Sequence, residues 1–143
     1  MLNNAHKKQK KFIYLLFYRD FGCIMVSHDT ERGYNMADVL QIQRFLHDVK
    51  HADIIDFVPT EKNRLTRLSI GLTAHDQDDM VRNLKVNEYH SGPSKDKDPT
   101  RSGLVWVFKH QFEEHMLYIK LKEKIIVEGN TVIKCLSCHI DQM

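Results

Sequence analysis

The chain has 143 residues, 42% of them hydrophobic and 28% charged, which is enough for one compact domain with a core and excludes a disordered chain. A formal net charge of +2 means that any affinity for nucleic acid must come from where the charges sit, not from their sum. Three cysteines (Cys23, Cys135 and Cys138) cannot make a paired disulfide framework, so reduced thiols in the cytoplasm are expected.

Residues 1–33 carry no sustained period and read as an irregular extension. The run "HKKQKKFIYLLFY" has a basic start and an apolar stretch of only seven residues, with no clean cleavage site after it and too little length to span a membrane. Met25 is a second candidate start for the native chain. From Tyr34 to the end the patterning is regular and reads as a single domain.

Asn35 is placed to cap a helix through "MADVLQIQRFLHDVKHA", where Val39, Ile42, Leu46 and Val49 recur at helical spacing. "IIDFVP" is a short extended piece stopped by Pro59. Thr60 caps a second helix through Leu65 and Leu68 that Gly71 ends. Thr73 with Asp76 three residues later reads as a capping box for a third, running through Met80, Val81 and Leu84. Residues 91–102, "SGPSKDKDPTRS", read as a loop.

Beyond it the period falls to two. "GLVWVF", "HMLYIKLKEKIIVE" and "TVIKCLSCHI" read as strands, the last two joined at Gly129-Asn130. The expected class is α+β: two or three helices packed on a small curved antiparallel sheet.

Cys135-Leu-Ser-Cys138-His139 matches the c-type haem attachment string. Counting from a Gly129-Asn130 turn sets Ile119 against Ile140, Leu121 against Cys138, Ile125 against Lys134 and Val127 against Val132 on an apolar face. Tyr118, Lys120, Lys122 and Lys124 then share the opposite face with Cys135, Ser137, His139 and Asp141, and Lys120 lies across from His139. Residues three apart in a strand point to opposite faces, so the two cysteines do not jointly grip haem or metal. No cofactor, haem or metal is expected. The polar face suits a phosphate, with lysine charge, a titratable histidine, and Tyr118 or Trp106 as a ring for an unstacked base.

The segments "RLSIGLTAHDQDDMVRNLKVNEYHSGP", "VWVF", "YIKLK" and "KCLSCH" resemble, in order and spacing, the motility quorum-sensing regulator toxins of bacterial type II toxin-antitoxin systems, within the RelE/ParE-like toxins. The likeness runs from about Tyr34 to His139. It implies the RelE/ParE-like fold and a metal-independent endoribonuclease that cuts messenger RNA, free or on the ribosome. It also implies a cognate antitoxin, commonly a helix-turn-helix DNA-binding protein, and no membrane partner.

By position, the family's Tyr-x-Lys falls on Tyr118 and Lys120, and Lys120 becomes the phosphate-contacting residue. Lys122 adds charge, His139 serves as general acid or base, and Tyr89 supports catalysis. Tyr118, Trp106, Lys109 and His110 are the RNA-binding candidates, and Arg64, Arg67 and Arg82 could contact ribosomal RNA. The chain departs from the family at Lys109-His110, where Gly-Lys is usual, at Phe108, where a supporting tyrosine is usual, and at Cys138, often phenylalanine. Two further readings stand beside the nuclease: a same-fold toxin that binds another target such as DNA gyrase, and an inactive remnant.

Overall fold

The computed structural model describes the chain over residues 37–142, and the backbone alone over two earlier strands, β1 (Ile13–Tyr18) and β2 (Phe21–Ser27). Those two strands pair antiparallel as a hairpin within a unit, Met1–Tyr34, that is compact by itself. A hairpin therefore stands where the sequence shows no period. Asn35 lies outside the described residues, and so do the side chains around Met25.

The second unit, Asn35–Met143, holds three helices and a six-stranded mixed sheet. Helix α1 (Val39–His51) starts at Asp38, whose Oδ1 accepts from the Gln41 amide at 2.8 Å while Gln41 Oε1 accepts from the Asp38 amide. That reciprocal pair makes Asp38, not Asn35, the cap. Helix α2 (Glu61–Ile70) is capped by Thr60 and ends at Gly71, whose φ of 66° is the left-handed conformation that glycine adopts without a Cβ penalty. Helix α3 (Ala74–Arg82) opens with the expected Thr73–Asp76 box and stops two residues short of Leu84. Arg82 then reaches back to the Ala52 and Lys50 carbonyls at 2.7 and 3.2 Å, closing the C-terminal end of α1.

The strands are β3 (Ile54–Phe57), β4 (Tyr89–Lys95), β5 (Leu104–Phe112), β6 (His115–Lys122), β7 (Ile125–Val127) and β8 (Asn130–Ile140), ordered β3-β8-β6-β5-β4 with β7 also on β8. The expectation of a wholly antiparallel sheet is corrected at one edge, where β3 runs parallel to β8. The expected loop over 91–102 begins as strand β4, which pairs with β5 through two irregular steps. Gly92 lies where β4 crosses closest to β5. A Cβ there would come 2.6 Å from the Val105 carbonyl oxygen.

The hairpin turn sits one residue earlier than expected. Glu128 and Gly129, at φ 49° and 81°, are its two central residues. Positive φ at both positions suits the right-handed twist of the flanking strands. Most predicted pairs move by two: Tyr118 meets His139, Ile119 meets Cys138, and Ile125 meets Val132, while Leu121 moves by three, from Cys138 to Cys135. A shift of two preserves faces, so Tyr118, Lys120 and His139 stay together.

Cys135 does not stay with them. Between the pairs Lys120–Ser137 and Leu121–Cys135, Leu136 is an extra residue, and this bulge turns Cys135 onto the same buried face as Cys138. The Cys135 thiol donates to the Ser137 carbonyl at 3.3 Å. Its hydrogen bond with Cys138, then burial, hold it protonated well above the ordinary thiol range.

The core lies between the helices and one sheet face. Phe45 from α1 stacks on Trp106 (centroids 4.6 Å, planes 6° apart) and lies 6.1 Å from Phe108, with Leu117, Ile119, Leu121 and Ile133 beneath. Truncating Phe45 to alanine would cost about 3–5 kcal/mol. Among the described residues no helix is long and apolar enough to cross a membrane.

Candidate functional site

Strand β6, "HMLYIKLK", alternates strictly. Leu117, Ile119 and Leu121 are fully buried against the helices, which sends Tyr118, Lys120 and Lys122 to the outer face. On β5 the same alternation buries Trp106 and Phe108 in the core and sends Val105, Val107 and Lys109 outward. Across the sheet one row therefore reads His139–Tyr118–Lys109 and the next Ser137–Lys120–Val107–Ser91.

The rings of Tyr118 and His139 stack with centroids 5.3 Å apart and planes 14° apart. His139 Nδ1 lies 3.0 Å from the Ile140 carbonyl oxygen. A carbonyl only accepts, so Nδ1 is the donor of this bond, and in the neutral ring the lone pair is then on Nε2. Lys109 Nζ pairs with Asp141 at 2.8 Å, and this hydrogen bond holds the Asp141 carboxyl below the usual carboxylate range, aided by the charge of Lys109 and by His90 and His139 nearby. Lys120 has no carboxylate partner among the described residues and is half-buried beside Ser137. An unpaired ammonium on a floor of nearly buried valines is a position for a phosphate.

Lys122 shares the face but is already engaged. Its side chain is 12% exposed, and its ammonium pairs with Asp96 at 3.4 Å in the segment that leads into β5. Asp96 accepts from the Asp98 amide and from Lys122, and both lower its pKa.

Three expected residues stand on the other side of the sheet. Trp106 is 5% exposed and stacked under Phe45, with its indole N–H buried and unpartnered among the described residues. Trp106 and Lys109 are three apart in a regular strand and cannot serve one ligand from one face. The Tyr89 ring packs edge-on against Trp106 and Phe108; its hydroxyl donates to the Gly92 carbonyl and accepts from the Ala37 amide. Burial raises its pKa, so it is a brace and not a proton carrier. His110 Nδ1 is held by Glu88 at 2.5 Å. Arg82 is spent on Asp78 and the end of α1, and Arg64 on Glu61.

Asp141 lies on the polar face where strand alternation put it, but its pairing with Lys109 was not read from the sequence, and His90 was missed as a neighbour of the cluster. His90 follows the inward Tyr89, but the glycine and proline after it disguised β4 as a loop. No group of three or more metal-ligating side chains occurs among the described residues. Comparison of the chain with protein-family models, with curated protein sequences and with solved structures finds no match.

Proposed function

We propose that the chain is a toxin-type, metal-independent endoribonuclease with a RelE/ParE-like fold, and that the outer face of β5, β6 and β8 is its active surface. The observation that supports the reading most is the juxtaposition of Lys120, which has no carboxylate partner among the described residues, with a stacked Tyr118–His139 pair whose Nδ1 is tied to the Ile140 carbonyl. Cleavage of RNA without a metal requires attack of the ribose 2′-hydroxyl on the adjacent phosphate. One group must take the hydroxyl proton, a cation must answer the charge that grows on the phosphoryl oxygens, and a proton must reach the departing 5′-oxygen.

In this reading His139 Nε2 takes the 2′-proton, Lys120 stabilises the phosphoryl charge, and a solvent water gives its proton to the departing 5′-oxygen. Tyr118 holds the imidazole in plane. Lys109, pinned by Asp141, contributes field and a backbone-phosphate contact. The cytoplasm is the proposed site of action, messenger RNA the substrate, and a helix-turn-helix antitoxin the neutralising partner.

The reading is tested by expressing the chain in cells without an antitoxin. Growth arrest accompanied by fragmented messenger RNA, both lost with Lys120→Ala, is expected. Arrest with intact messenger RNA would move the reading to a binding toxin, and no arrest would favour the inactive remnant.

A further inference from the structure

Helix α2 is built inside out. Its buried side chains, Asn63 and Thr66, are polar, whereas Leu65 and Leu68 stand 53% and 68% exposed. The polar side has a clear cause. Strand β3 accompanies β8 only as far as the pair Phe57–Cys135, so the next amides of β8 lack a neighbouring strand. Asn63 Oδ1 accepts from the Cys138 amide at 3.0 Å and Thr66 Oγ1 from the Ile140 amide at 3.1 Å. Side chains of α2 thereby seal the sheet edge. The leucines have no such cause, since nothing in edge sealing requires them outside.

Beside Leu68 opens a cleft of about 450 Å³ walled by Phe57, Pro59 and Leu72, with Arg67 and Gln77 at its sides. Glu61 on its rim is neutralised by Arg64 at 2.6 Å. Lys62 and Arg67 have no carboxylate partner among the described residues, which leaves an apolar surface with a positive rim.

We propose that α2 and this cleft form the docking surface for an acidic, leucine-bearing segment of a partner protein. A small ligand filling the cleft would leave Leu65 unexplained. RNA would use Arg67 and Lys62 but not the leucines. A second copy meeting this face about a twofold axis would bring two positive rims, each carrying Lys62 and Arg67, into one interface. A segment with apolar anchors in the cleft and carboxylates toward the rim satisfies both features. Because Asn63 and Thr66 grip the residues on either side of His139, such a segment would lie along the strand that carries the proposed base. The inference holds whether or not the outer face cleaves RNA.

The test uses the full chain, labelled with ¹⁵N, and two synthetic helical peptides that share leucines at every third and fourth position, one with glutamate and one with lysine elsewhere. Saturable amide shifts confined to α2, Phe57, Val58, Thr60, Leu72 and Gln77 are expected with the glutamate peptide. Leu68→Asp should weaken that binding at least tenfold with an unchanged melting temperature, since the side chain is exposed, and added salt should weaken it too. Four results would overturn the proposal: no saturation up to millimolar peptide, shifts confined to the outer sheet face, equal binding of both peptides, or concentration-dependent self-association that Leu68→Asp abolishes.

Discussion

The imidazole of His139 lies parallel to the phenol of Tyr118, their planes 14° apart, on adjacent antiparallel strands that pair these two residues directly. The stack and the tie of Nδ1 to the Ile140 carbonyl together fix the ring, so Nε2 is the nitrogen not already engaged among the described residues. Aromatic pairs of this kind contribute about 0.5–1.5 kcal/mol beyond their buried area. Tyr118→Ala should therefore lower kcat/KM for RNA cleavage by roughly three- to tenfold. Tyr118→Phe, which keeps the stack, should stay within about twofold of the native chain.

Lys120 and Lys122 are two residues apart on one strand face, yet the structure divides their tasks. Lys122 answers Asp96 within the fold, and Lys120 answers nothing inside the described molecule. Lys120→Ala should cut RNA cleavage by about a hundredfold or more at unchanged thermal stability. Lys122→Ala should do the reverse, lowering the melting temperature with the smaller effect on cleavage. Paired melting curves and single-turnover assays separate the two.

The edge of β8 makes a prediction about folding rather than chemistry. Asn63→Ala or Thr66→Val leaves a buried or half-buried amide, of Cys138 or Ile140, without its acceptor. Each should cost about 1–3 kcal/mol in urea unfolding. Leu65→Ala on the exposed side of the same helix should cost no more than about 0.5 kcal/mol.

Stability should have an acid limb. Burial would raise the Glu88 carboxyl, but its hydrogen bonds with His110 and the Lys85 amide outweigh that and lower it from 4.5. Asp141, bonded to Lys109, and Asp53, bonded to Thr131, are lowered from 3.8. A carboxylate depressed in the folded state contributes its full stabilisation above the unfolded value. That contribution shrinks as pH falls, because the unfolded chain takes up protons first, and is gone below the folded value. Unfolding free energy should therefore be flat through neutral pH and decline below about pH 4.5. Glu88→Gln should make the decline shallower.

Much of this arrangement is legible in the sequence, and the reasons for the exceptions are local. Thr60, Thr73 and Asp76 cap helices where they were expected to, because capping depends on residues three apart. The face shared by Tyr118, Lys120 and His139 survives a turn displaced by one residue, since the pairing then slips by two. Cys135 could not be read, because a bulge at Leu136 leaves no periodic trace and inverts what precedes it. Nor could the parallel pairing of Ile54–Phe57, a contact between segments far apart in the chain. Trp106 looked like a platform for a base and Tyr89 like a catalytic support because aromatic residues serve cores and sites equally well. Phe45, stacked on Trp106, decides between the two.

Whether the outer face cleaves RNA with His139 as the proton acceptor is decided by the ends of RNA treated with the purified chain in the presence of a chelator. The expected products carry 2′,3′-cyclic phosphate and 5′-hydroxyl ends, with the rate reduced by about a hundredfold or more in a folded His139→Ala variant. Cleavage that stops on chelation, 5′-phosphate products, or a fully active His139→Ala chain would contradict that mechanism.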